Sequence, residues 1–288
     1  MEKTIPVGDA HTHTNPVRGL GAEKIAVRFH AEGGWFMAIV ALSPWAYNIE
    51  FNGIDSYRQV LDLLARECMA AEDAGVKTAC LAGFHPADVD RLIDKYKLDP
   101  VDVLRLGEAW ISELGRACRN GFLDGIGEVG RQHYKTRAER VVISELILRK
   151  ALEIARDNDC IVHLHLENAG KITIDLVDMA IAGLGGFQDT AKVVFHHMKP
   201  SHAVYAVGKG YAATVPGTPT LLENVLGKFP PVFMLESDHI DDPMRPGAVV
   251  YPWVMAQHVR RLSRKVGEEY LYKINIDNIV RTYGVSPP

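Results

Sequence analysis

The chain has 288 residues, of which 47% are hydrophobic and 24% charged, a composition that excludes an intrinsically disordered protein. Its longest unbroken apolar run, residues 35–42, is far shorter than the roughly 18 residues that a membrane-spanning helix needs. The formal net charge of −4 argues against a large non-specific surface for nucleic-acid phosphates. The unusual feature that remains is the count of twelve histidines.

Apolar segments of strand length alternate with longer segments of helical periodicity along the whole chain. We predict eight strands, at residues 5–11, 35–42, 77–83, 125–129, 160–166, 192–197, 210–215 and 232–237. Helical periodicity is clearest at residues 55–74, 103–119, 137–157, 172–181 and 253–266. Eight repeated βα units without a linker predict a (β/α)8 TIM barrel that occupies residues 1–288 as one domain.

Histidines and carboxylates recur where the predicted strands end. His11 and His13 close the first strand and face the same way, because strand side chains alternate. Glu128 lies between glycines near the end of the fourth strand. The candidates are His163 or His165 on strand five, His196 or His197 at the end of strand six, and Asp238 at the end of strand eight. Each group alone is weak evidence, but their recurrence at the rim where barrel enzymes build active sites predicts a metal site.

The donor types limit the metal. Nitrogen and oxygen ligands without thiolates favour zinc, with manganese, magnesium or iron as alternatives. Six ligands are too many for one catalytic zinc that keeps an open position, so we expect two divalent ions with Glu128 between them. On strand five, the deeper His163 is open to a different interpretation, as a hydrogen-bonded core histidine.

These motifs together resemble the TatD-like metal-dependent hydrolases of the amidohydrolase superfamily. The resemblance runs nearly the whole chain and rests on DAHTH (9–13), GFHP (83–86), GEVG (127–130), the histidines of strands five and six, and ESD (236–238). It implies that His11, His13, Glu128 and Asp238 bind one ion. It also implies that Glu128, a histidine of strand five and a histidine of strand six bind the other. Gap-free spacing favours His165 on strand five, whereas His196 and His197 both stay open.

The expected reaction is hydrolysis by a hydroxide shared between the two ions, with Glu128 and Asp238 as the catalytic carboxylates and Asp238 as the proton acceptor. His85, His133 and Arg131 are candidate substrate-binding residues around this centre. The resemblance favours a phosphodiesterase of the deoxyribonuclease type, which acts on a small-molecule or nucleic-acid phosphoester.

Two departures from the DNase pattern weaken that assignment. Glu167 stands where these DNases usually have Arg, and RQH (131–133) replaces their Leu-Asp-Tyr-like stretch. The run DHIDDP (238–243) looks more like an uncharacterised TatD-related branch. A lactonase, amidohydrolase or phosphotriesterase on the same barrel is therefore the alternative, and a non-catalytic metal-binding scaffold is a remote one.

The remaining expectations concern the cellular setting. The amino-terminal segment has neither a basic region nor a long apolar region, so we expect a cytoplasmic protein without a membrane partner. Its four cysteines are widely spaced and fit neither a CxxC metal site nor a dense disulfide framework, so we expect buried thiols. The sequence leaves the oligomeric state open.

Overall fold

The computed structural model describes residues 5–288. Residues 1–4, part of the segment inspected for a signal peptide, lie outside the described residues. Eight parallel strands pair in chain order, β1 with β2 and so on to β8. They are β1 (Val7–Thr12), β2 (Gly34–Val40), β3 (Lys77–Ala82), β4 (Gly125–Gly130), β5 (Ile161–His165), β6 (Val193–Phe195), β7 (Ala212–Pro216) and β8 (Met234–Glu236). The predicted (β/α)8 barrel is confirmed.

Helices surround the strands. They are α1 (Ala22–Ala31), α2 (Ile54–Asp73), α3 (Pro86–Asp94), α4 (Pro100–Arg119), α5 (Ala138–Asp157), α6 (Lys171–Gly183), α7 (Pro200–Gly208), α8 (Pro219–Val225), α9 (Pro252–Val266), α10 (Glu268–Tyr272) and α11 (Asn278–Tyr283). A π-helical turn, Lys273–Asp277, joins the last two. The five predicted helices are present, as α2, α4, α5, α6 and α9. Sequence periodicity missed the others because most are too short to establish it.

The barrel closes between β1 and the segment that follows β8. The amide of Asp238 donates to the His11 carbonyl over 3.0 Å, and the amide of His13 donates to the His239 carbonyl over 2.9 Å. Both β6 and β8 end after three residues, earlier than predicted, so His196, His197 and Asp238 lie just beyond their strands. This closure places the ends of β1 and β8 side by side.

The end of β3 is drawn against the end of β4 by a close backbone approach. A Cβ added at Gly83 would lie 2.2 Å from the Glu128 carbonyl oxygen, so only glycine fits there. The indole of Trp110 donates to the Gly83 carbonyl over 2.9 Å. His85 then starts α3: it is extended, as the residue before Pro86 should be, and its Nδ1 accepts from the Ala87 amide over 3.0 Å.

The cysteines correct one expectation. Cys68 and Cys80 form a disulfide, because the end of α2 packs on β3 and brings their Cα atoms to 6.4 Å. Of the two remaining thiols, Cys160 is buried and Cys118 is half-buried. The prediction of four free, buried thiols was therefore wrong.

Among residues 5–288, no helix is both long enough and apolar enough to span a bilayer.

Candidate metal centre

The buried carboxylate of Glu128 is the centre of the site. Its Oε1 lies 2.8 Å from His165 Nδ1, 3.0 Å from His196 Nε2 and 3.6 Å from His11 Nε2. Its Oε2 lies 3.8 Å from His13 Nε2 and 3.9 Å from His85 Nε2. Burial raises the pKa of Glu128, but the charges and hydrogen bonds of His165 and His196 outweigh it and hold the pKa well below its usual range. The group is therefore an anion, ready to bind a cation.

His11 near the end of β1 and His13 just after it both turn Nε2 towards this carboxylate. His13 Nδ1 lies 2.7 Å from the Val40 carbonyl oxygen, which can only accept, so Nδ1 carries the proton and Nε2 keeps its lone pair. His11 is fully buried, and its Nε2 has no hydrogen-bond partner. A buried nitrogen without a partner that faces a carboxylate is an expected feature of a metal ligand.

On β5, the structure places His165 beside Glu128 and His163 deeper. His163 is fully buried, and its Nδ1 lies 2.9 Å from His11 Nδ1. This position matches the alternative interpretation of His163 as a hydrogen-bonded core histidine.

After β6, the two neighbouring histidines face different carboxylates. His196 is buried, with Nε2 at Glu128 and Nδ1 3.2 Å from Glu236 Oε2. The His197 side chain is 47% exposed, and its Nδ1 lies 2.8 Å from Asp238 Oδ2. The geometry thus favours His196 as the histidine that shares an ion with Glu128.

Asp238, which follows β8, also lies beside the cluster. Its Oδ1 lies 3.8 Å from His13 Nε2. Burial raises the pKa of Asp238. The hydrogen bond from His197 and the charges of His196 and His13 lower it by more than burial raises it, so the pKa lies below its usual range. Two ionised carboxylates, Glu128 and Asp238, thus each lie 3.8 Å from His13 Nε2.

The residues fit a divalent metal centre by their donors. His11, His13 and Glu128 have ligand atoms within 4.8 Å of one another, as do His85, Glu128 and His165, and also His196, His197 and Asp238. The first two groups share Glu128, and the donors are nitrogen or oxygen, as zinc, manganese or iron prefer. Within the second group, His85 has no free lone pair, because its Nδ1 accepts from the Ala87 amide. With Glu236 and Glu128 beside it, the pKa of His196 is raised well above its usual value although burial lowers it. The cluster therefore favours added positive charge.

The three predicted substrate-binding residues lie in different settings. Because His85 Nδ1 accepts from the Ala87 amide, its Nε2 carries a proton and faces the site as a donor. Exposed His133 places Nδ1 2.7 Å from His165 Nε2. Arg131, in contrast, is held by Glu167 over 2.6 and 2.9 Å and by Glu145 over 2.8 Å. Its hydrogen-bonding edges are occupied by protein carboxylates.

Comparison with known proteins identifies the family of this chain. Residues 8–284 match the family model described as TatD related DNase. The chain belongs to the TatD family. It is 29% identical over 289 residues to the uncharacterized protein MJ1127 of Methanocaldococcus jannaschii, covering 98% of this chain and 96% of that protein.

Two solved structures show how widely the TatD-family barrel is shared. The TatD homologue YjjV of Escherichia coli aligns with a TM-score of 0.63 and 18% identity, over 97% of this chain and 98% of that chain. An organophosphorus hydrolase of Deinococcus radiodurans aligns with a TM-score of 0.60 and 14% identity, over 97% and 93% of the two chains. At these identities the likeness is one of fold.

Sequence reasoning missed several residues that hold this TatD-family site together. Glu236 contacts His196 and accepts a short hydrogen bond from the Thr214 hydroxyl. The carboxylate of Asp241 accepts from three backbone amides of the β1–α1 loop, those of Asn15, Leu20 and Gly21. Glu236 could have been found, because it belongs to the ESD motif. Asp241 could not, because its partners lie more than 200 residues away.

Proposed function

We propose that this chain is a binuclear metal-dependent hydrolase of phosphoester bonds, of the phosphodiesterase or deoxyribonuclease type. The observation that carries the proposal is the position of Glu128, whose carboxylate lies between His11 and His13, at the end of β1, and His165 and His196, at the ends of β5 and β6. One carboxylate between two imidazole pairs is the arrangement that two neighbouring divalent ions require.

The residues of the site have separate roles in binding the ions and in accepting a proton. His11, His13, Glu128 and Asp238 would hold one ion, and Glu128, His165 and His196 the other. When bound, two such ions supply an activated water nucleophile and polarise the bond under attack. Asp238 is ionised and has His197 at its other oxygen, so it accepts the proton from the nucleophile.

His85 gives the site a neutral donor for the substrate. Burial and the neighbouring His165 lower the pKa of His85 to about 3, so the ring is neutral, and its Nε2–H faces the mouth beside Glu128. A donor of this kind orients a phosphoryl or carbonyl oxygen. His133 extends the same side of the mouth into solvent.

One observation favours a second candidate, a lactonase, amidohydrolase or phosphotriesterase. The guanidinium of Arg131 is paired with Glu167 and Glu145, so it adds no free positive charge for a polyanionic substrate. A mouth formed largely by neutral imidazoles suits a small ester as well as a nucleic acid.

Reconstitution with zinc and a substrate panel tests the proposal. The panel holds bis(4-nitrophenyl) phosphate, single-stranded DNA, a phosphotriester, a γ-lactone and an amide. We expect the wild type to hydrolyse the phosphodiester. The rate should fall at least about a hundredfold in Glu128→Gln, because the substitution removes the shared ligand. Glu153→Gln is the matched control, because it alters only an ion pair with Lys150 in which the glutamate side chain is 40% exposed.

The other outcomes are distinct. Turnover of the lactone or triester alone would replace the phosphodiesterase with the second candidate. Tight zinc binding without hydrolysis of any panel member would contradict an enzyme and leave a metal-binding scaffold. Asp238→Asn that binds zinc and keeps full turnover would contradict the proton-accepting role of Asp238.

A further inference from the structure

A line of hydrogen bonds joins the last helix of the chain to His11. The Tyr283 hydroxyl, at the end of α11, lies 2.8 Å from the Ala10 carbonyl oxygen and 2.9 Å from His163 Nε2. The other ring nitrogen of His163 lies 2.9 Å from His11 Nδ1. All three side chains are buried.

The positions of the protons along this line follow from which atoms can accept. The Ala10 carbonyl can only accept, so the single hydroxyl proton of Tyr283 is donated to it. The Tyr283 oxygen then accepts from His163 Nε2–H. A neutral imidazole has one proton, so His163 Nδ1 accepts in turn from His11 Nδ1–H.

This series of hydrogen bonds ends at the proposed metal centre. With its proton on Nδ1, neutral His11 has its lone pair on Nε2, the atom that lacks a partner and lies 3.6 Å from Glu128 Oε1. The opposite tautomer would place a proton there and block a metal.

We propose that Tyr283 and His163 are positioning residues that fix the tautomer and orientation of His11, so that its Nε2 is free to bind a metal ion. The inference rests on the proposed metal centre. It assigns α11 a task in the site beyond its packing against the barrel.

The contacts around Tyr283 separate this role from packing. Its ring packs on Phe36 at 4.8 Å between centroids, and Tyr283→Phe keeps that contact. The substitution removes only the hydroxyl, which leaves His163 Nε2–H without its acceptor. The tautomer of His163 with its proton on Nδ1 is then favoured. That proton is donated to His11 Nδ1, so His11 carries its own proton on Nε2.

Zinc competition against a chromophoric chelator tests the proposal on the full-length chain. We expect Tyr283→Phe to weaken binding of one zinc ion about 10- to 100-fold, the range for loss of a partner that orients a ligand, and to leave the other ion unaffected. Tyr211→Phe is the matched control: Tyr211 is also a buried residue, and the substitution removes a hydroxyl that bonds Asp178 of α6 over 2.6 Å. Wild-type affinity for both ions in Tyr283→Phe would overturn the proposal.

Imidazole ¹⁵N NMR of the zinc-free chain gives a readout that a merely structural role would not move. We expect His11 to carry its proton on Nδ1 in the wild type and in Tyr211→Phe, and on Nε2 in Tyr283→Phe. A wild-type His11 protonated at Nε2 would overturn the inference even if zinc binds. A wild type that shows the expected tautomer but binds no zinc would instead contradict the proposed function.

Discussion

Replacement of Arg131 by Met distinguishes a structural ion pair from a substrate-binding residue. The guanidinium makes three charge-assisted hydrogen bonds, two to Glu167 and one to Glu145, and these join the segments after β4 and β5 to α5. The Arg131 side chain is 11% exposed, and those of Glu145 and Glu167 are 27% and 28% exposed. Met keeps much of the apolar stem and removes the charge.

The expected loss in the free energy of unfolding follows from these exposures. Breaking a fully buried ion pair costs about 3–5 kcal/mol, whereas an exposed pair contributes about 0–1 kcal/mol. Both glutamates retain access to water, which solvates them once the arginine is gone, so we expect a loss of about 2–3 kcal/mol. In a chain of 288 residues that lowers the Tm by about 3–5 °C.

Urea unfolding and steady-state kinetics measure the two consequences separately. Arg149→Met is the control, because Arg149 bonds the same Glu145 over 2.8 Å from a side chain that is 57% exposed; we expect a loss of at most about 0.5 kcal/mol there. The KM of Arg131→Met for bis(4-nitrophenyl) phosphate should stay within about twofold of the wild type. Unchanged stability together with a KM raised about tenfold would refute the reasoning and make Arg131 a substrate contact.

Two further predictions concern the ligands and the pH dependence. His196→Asn should retain one zinc ion per chain and His197→Asn two, because His196 faces Glu128 whereas His197 faces solvent and Asp238. Metal analysis after dialysis measures the zinc content of each variant. The reverse pattern would contradict the ligand assignment. Burial raises the pKa of Asp88 to about 7 despite hydrogen bonds from Ser43 and Tyr57. The folded state therefore binds a proton that the unfolded state has released above pH 3.8, and stability is lost as the pH rises towards 7. Relative to Asp88→Asn, the wild type should lose up to about 4 kcal/mol between pH 4 and pH 8 in urea unfolding, and equal slopes for the two proteins would contradict this.

The fold could be predicted because its main features are local in sequence. Buried parallel strands give apolar runs, and long helices such as α2 and α4 give enough turns for their periodicity to be seen. Helices α7 and α8 have nine and seven residues, which is too few for a pattern, although each begins with a proline at its first position.

The choice between His196 and His197 could not be made from the sequence for a geometric reason. Strand alternation allows only one of two neighbours to face the barrel axis, but it holds only while the chain is extended. β6 ends at Phe195, and His197 has a φ of 57°, so the extended conformation does not continue through the two histidines. Its side chain reaches Asp238, a contact that alternation does not predict.

Contacts between distant parts of the chain account for the rest. The sequence shows the charge of Arg131 but not that Glu167, which follows the next strand, neutralises it. Tyr283 and His163 are 120 residues apart, and no local pattern connects them. Residue types at strand ends thus indicated the centre, and only the packed barrel shows how each ligand is held.

The most direct test of the central claim is an anomalous-diffraction map from a zinc-soaked crystal of the full-length chain. The account predicts two zinc peaks, one on either side of the Glu128 carboxylate, the first beside His11 and His13 and the second beside His165 and His196. A single peak, or two peaks that do not share Glu128, would contradict it.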